Sequence, residues 1–176
     1  MLYTGRLRKD TDILVLGLGS EILMDDGIPL KIIADLKKDP LTRDLNYLTA
    51  NTGGLDLLDH FSGFRNVFII DAIMTKNGVP GQVWFFNAKD EDCMDTFHLS
   101  CCHDASFEIT LGLGKKLGIP LPEQIWILAV EILRGLEFSR SSSEQVDSVY
   151  PGILAEVKKN INHIICSRMA RSVAKI

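Results

Sequence analysis

The chain predicts an α/β fold: three layers, α/β/α, around a mostly parallel but mixed, twisted sheet of about five strands. Three observations carry that expectation. The apolar runs at 13–16 and 67–70 contain no alternating polar residues, as befits strands buried on both faces. Strand-like runs alternate with segments of helical spacing along the whole chain. Finally, Gly17-Leu18-Gly19 turns the first run into a helix start, the usual opening of an open α/β sheet, whose sites form beyond the carboxyl ends of strands.

The first strand is expected at 13–16 and the first helix at 27–38, where Ile28, Ile32, Ile33 and Leu36 recur at helical spacing. Pro29 suits a first turn, where its missing N–H costs nothing, and Asp25 or Asp26 could cap it. Asp39-Pro40 ends the helix. A second strand is expected at 45–50 and a short helix at 55–61. The run at 67–70 is rich in β-branched and aromatic residues and closes on Asp71. Turn signals at Asn77-Gly78 and Pro80-Gly81 then leave too little chain for a helical crossover. The next strand, 82–86, is therefore expected antiparallel to its predecessor or as an edge excursion. Residues 88–96 are acidic and loop-like. A helix follows at 105–117, ended by Gly118, and a last strand at 125–130. An irregular excursion spans 131–140, and a terminal helix opens with capping residues at 141–145.

A chain of 176 residues is most simply one domain over 1–176, large enough to bury about 70% of its unfolded surface. A net charge of -4 argues against nucleic acid, which needs a basic face. No apolar run approaches the ~20 residues that span a bilayer, so no membrane association is expected. Residues 1–10 carry Arg6, Arg8 and Lys9 without the apolar core of a secretory signal. Cys93, Cys101, Cys102 and Cys166 lack framework spacing. A reducing cytoplasm with free thiols is the expected setting.

Three chemistries are open to the Gly-x-Gly turn. Dinucleotide binding needs a third glycine where Ile22 stands and an acid near Ala50-Asn51, and a phosphate-binding loop needs Gly-Lys-Ser/Thr. All are absent. Asp25 and Asp26 have a plain reading as one helix cap and one solvated acid. Asp71, at the end of an apolar strand, is costly unless paired, and His103 lies in a loop just before a helix. Asp26, Asp71 and His103 could therefore converge on one crevice as a mixed oxygen/nitrogen set suited to Zn, Ni, Fe or Mn. Cys101 and Cys102 could add soft ligands, although small buried thiols at a helix start explain them more simply. A Cys–His nucleophile needs the pair to reach across space, which adjacent residues in one loop seldom do, and no Gly-x-Ser-x-Gly elbow exists. The late basic residues read as a solvated helix face.

These residues also carry a family resemblance. ILVLGLGSEILMDDG resembles the opening signature of the [NiFe]-hydrogenase maturation endopeptidases: strand, Gly-x-Gly-Asn, four residues, Asp-Asp/Glu-Gly. NTGGLDLL, VFIIDAI and SCCHDASF are similar, in order and spacing, to three further segments of that family, and together they run through most of residues 12–130. The resemblance implies a peptidase that removes a C-terminal extension from a hydrogenase large-subunit precursor after nickel insertion. It implies Asp26, Asp71 and His103 as the metal-contacting and catalytic positions. The nickel is implied to be the substrate's own, acting as a recognition element; an adventitious ion such as Zn or Cd could fill the set in the isolated protein. A monomer is expected. A non-proteolytic maturation factor that docks the nickel-loaded subunit would use the same residues. The chain departs from the family pattern at Ser20 (usually Asn), Pro29 (usually a second glycine) and Asn51 (commonly Asp), and in having Cys101-Cys102 before His103.

Overall fold

A computed structural model describes residues 12–61, 63–89, 107–133 and 137–173, with 168–173 by backbone alone. Five strands form one sheet: β1 (Ile13–Leu18), β2 (Asn46–Ala50), β3 (Asn66–Ile73), β4 (Val83–Asn87) and β5 (Gln124–Glu131). Their spatial order is β2-β1-β3-β5-β4. The first four in that order run parallel, with Gly17 opposite Ile70 and Ile70 opposite Leu128, while β4 runs antiparallel to β5. The class expected from sequence is thus the class observed.

Among the described residues the α-helices are α1 (Ile28–Leu36), α2 (Asp56–Phe61), α3 (Phe107–Lys116) and α4 (Glu144–Val173). They divide between the two faces of the sheet. On one face Leu14, Leu16, Ile69 and Ile127 pack with Leu57, Leu58 and Phe61 of α2 and Phe107 of α3. On the other, Val15, Phe68, Ile70 and Leu128 pack with Ile28, Ile32 and Ile33 of α1 and Val146, Ile153, Val157 and Ile161 of α4. Alternate residues of β1 and β3 go to opposite faces, and both sets are buried. That is why the strands read as unbroken apolar runs.

Two details differ from expectation. The first helix begins at Ile28, after a short 3₁₀ turn at Met24–Gly27, and its cap residue is Gly27, which makes no side-chain cap bond. The strand at Val83–Asn87 is an edge strand, but its partner is β5 rather than its predecessor β3. β3 is flanked on both sides by parallel neighbours, β1 and β5, which leaves it no edge for β4 to join.

Candidate functional site

In the order β2-β1-β3, consecutive crossovers from β1 and β2 leave on opposite sides, which opens a crevice beyond the carboxyl ends of the strands. A cleft of about 360 Å³ lies there, lined by Gly19, Ser20, Glu21, Ile22, Leu30, Thr49, Ala50 and Asn51. Its floor is the turn after β1. The Gly19 amide donates to the Ala50 carbonyl at 3.1 Å, tying this turn to the end of β2. Gly19 has φ 155, and a Cβ there would run into the backbone carbonyl of Asp26. Only glycine lets the 3₁₀ turn close down onto the end of β1.

The two adjacent acids of that turn have different fates. Asp26 is partly exposed, and its Oδ2 accepts the Ser20 amide at 2.7 Å. Its carboxylate is thus held at the lip of the cleft by a charge-assisted bond. Asp25 is fully buried and faces the other way. Its Oδ1 accepts the Ser143 amide at 2.6 Å and its Oδ2 the Ser143 hydroxyl at 2.9 Å. Neither is the simple solvated acid of the plain reading. Ser143 escaped the sequence reading as a site neighbour. The capping serines ahead of α4 were visible, but nothing local marks a partner 118 residues away.

Asp71 lies near the carboxyl end of β3, one residue past Ile70 and opposite Ala129 of β5. It is buried, at 1% exposure, and its Oδ1 accepts the amide of Ala72 at 2.9 Å. By strand alternation it shares the face of Ile69 and Ile73, the face covered by α2 and α3. A carboxylate this deep attracts a cation more strongly than a solvated one, because the surrounding dielectric is low. The 3₁₀ turn bearing Asp26 packs against β3. Asp26 and Asp71 therefore belong to the same end of adjacent parallel strands.

His103, with Cys93, Cys101 and Cys102, lies outside the described residues, in the stretch 90–106 between β4 and α3. Among the described residues no three His, Cys, Asp or Glu side chains are grouped closely enough to hold a metal ion. Among them, too, no helix is long and apolar enough to cross a membrane.

No family model matches the sequence. It is 29% identical over 89 residues to the hydrogenase 2 maturation protease of Escherichia coli (strain K12). That match covers 50% of this chain and 54% of the relative, so about half the length of each is compared. The fold is similar to that of the [NiFe] hydrogenase maturation protease HybD from Thermococcus kodakarensis, with 22% identity, 84% of this chain and 97% of that chain covered, and a TM-score of 0.62. It is also similar to the hydrogenase maturating endopeptidase HybD from E. coli, with 23% identity, 86% and 92% covered, and a TM-score of 0.62. In fold throughout the sheet, and in sequence over half its length, this chain is similar to the hydrogenase maturation proteases.

Proposed function

We propose that this protein is a cytoplasmic endopeptidase that removes the C-terminal extension of a [NiFe]-hydrogenase large-subunit precursor once nickel is in place. The observation that carries the reading is that Asp71 lies near the carboxyl end of β3 and the turn bearing Asp26, which follows the neighbouring strand β1, packs against β3, with the Asp26 carboxylate held by Ser20 of the cleft wall. The partial sequence match to a hydrogenase 2 maturation protease supports the same reading.

In this reading Asp26, Asp71 and His103 face the nickel held by the substrate, so an unmetallated precursor lacks the charge that docks it. Carboxylate and imidazole are a suitable donor set for such an ion. Asp26, the more exposed of the two acids, meets it first. Hydrolysis then adds the hydroxyl of a water to the scissile carbonyl carbon and its remaining proton to the departing amine as the C–N bond breaks. A carboxylate positioned by the turn takes the water's proton in the first step and returns it in the second. The nickel, as part of the substrate, polarises the reacting groups.

The deciding experiment incubates nickel-loaded and nickel-free precursor with wild-type, Asp26→Asn and His103→Ala protein and weighs the precursor. Loss of a C-terminal peptide is expected with wild-type protein and loaded precursor alone. Undiminished cleavage by both variants removes these residues from the reaction. An unchanged mass in every sample would instead favour a docking factor that binds without cutting.

A further inference from the structure

We infer that Asp25 is a positioning residue for Asp26, keeping it aimed through a tether to the amino end of α4. The inference rests on the reading of Asp26 as a metal-facing group. Asp25 is fully buried and both of its oxygens are engaged by Ser143, at 2.6 Å to the amide and 2.9 Å to the hydroxyl. Ser143 in turn sits at the start of α4. Its hydroxyl lies 3.4 Å from the Val146 amide, and its carbonyl accepts the Asp147 amide at 2.9 Å. The last helix therefore fixes where Asp25 stands.

A second anchor holds the other side of the turn. The Met24 amide donates to the Ser139 carbonyl at 2.9 Å, and the Ser139 amide donates to the Ile22 carbonyl at 3.0 Å. Leu23 forms β-bridges with Phe138 and Ser139. Met24, between the two anchors, has φ 25, a conformation that a non-glycine residue keeps only where its surroundings enforce it. Asp26 follows directly, and its bond to the Ser20 amide, 2.7 Å long, depends on the path of this turn. With the Ser143 tether cut, Met24 can relax toward an ordinary conformation and swing the Asp26 carboxylate away from the lip of the cleft.

The probe is Cd²⁺ titrated into the full-length protein, read beside the rate of cleavage of nickel-loaded precursor. Asp25→Ala is expected to weaken the Cd²⁺ Kd about tenfold or more, as loss of an outer-shell partner of a metal ligand does. Cleavage should fall in parallel. Asp25→Asn can still accept the Ser143 amide and donate to its hydroxyl, so it is expected to bind and cleave close to wild type. A merely structural role lowers the number of binding-competent molecules and leaves their Kd unchanged. Should Asp25→Ala not fold, Ser143→Ala removes the hydroxyl alone and is expected to weaken the Kd in the same direction but by less, since the Ser143 amide still holds Asp25. Asp26→Asn separates the two ideas. If it weakens Cd²⁺ binding while folded Asp25→Ala or Ser143→Ala leaves the Kd at the wild-type value, the positioning role is overturned and the site stands. If Asp26→Asn binds and cleaves like wild type, the site itself is misassigned and the positioning role falls with it.

Discussion

Glu131, the last residue of β5, accepts the backbone amide of Thr75 at 2.5 Å and the Thr75 hydroxyl at 3.1 Å. Its side chain is buried, at 1% exposure, and its own backbone holds the same connection from the other side, through Gln82 and Gly81. One acid thus pins the whole β3–β4 connection over the end of the sheet. Glu131→Ala is expected to cost about 2–3 kcal/mol, because two bonds to a charged acceptor are lost and a donor is stranded. Glu131→Gln keeps one acceptor and one donor and should cost about 1 kcal/mol. Urea denaturation of the two variants checks the ranking.

Gly78 is packed against that carboxyl group so closely that a Cβ would collide with it. Gly78→Ala is expected to destabilise the protein by about 1–3 kcal/mol through overpacking. In a Glu131→Ala background the obstacle is gone, and the same substitution should cost little. A coupling energy near zero in the double-mutant cycle would contradict the contact.

The approach of α1 to β1 sets a similar limit. A Cβ on Gly17 would stand 2.7 Å from Cγ1 of Ile33 and 3.1 Å from the Pro29 carbonyl oxygen. Gly17→Ala is expected to cost about 1–3 kcal/mol and to lower Tm. Ile33→Ala relieves only the side-chain part. The double variant should remain less stable than Ile33→Ala alone, because the Pro29 carbonyl belongs to the helix backbone.

Stability should fall at both ends of the pH scale for separable reasons. Burial raises the Tyr47 hydroxyl from 10.0 to about 12, and burial likewise raises Tyr150, whose hydroxyl donates to Asp35 at 2.8 Å. In the pH range from 10.0 to about 12 the unfolded chain loses the Tyr47 proton and the folded one keeps it. The stability Tyr47 gives is complete below that range and is lost across it, by about 3 kcal/mol. Tyr47→Phe should flatten this alkaline limb. Asp35 is lowered from 3.8 chiefly by its hydrogen bond from Lys38, and Asp39 chiefly by that from Lys158 of α4, at 2.6 Å. Their contribution is present above the ordinary carboxylate value and disappears as pH falls through their folded values. Asp39→Asn should make acid unfolding less steep. The measurement for all of these is Tm against pH.

Much of the sheet could be read from residue order because its strands are buried on both faces. The runs around Val15 and Phe68 had to be unbroken and apolar, and they are. The place of β4 was harder. Its turn residues announce a nearby return of the chain, but the strand it joins, β5, arrives about 40 residues later in sequence, and no local signal encodes that pairing. Residue order alone makes Glu131 the start of an irregular excursion, although it closes an apolar strand much as Asp71 does. The same physical cue marks both. Asp25 and Asp26 show the deepest limit. Adjacent and chemically identical, they differ only in what the fold brings to each, and for Asp25 that partner is on the last helix. His103 and its neighbouring cysteines lie outside the described residues, so their part in the site rests on the resemblance and on the variants named above.

The 118 residues that separate Asp25 from Ser143 impose an order on biosynthesis. A ribosome delivers β1, β2 and β3 well before Ser143 emerges, so the parallel centre of the sheet can pair while the Met24 turn still lacks its tether. The turn that carries Asp25 and Asp26 gains its Ser143 contacts only when α4 docks. On the proposed reading, a nascent chain that has not yet delivered Ser143 therefore carries an unfinished recognition edge.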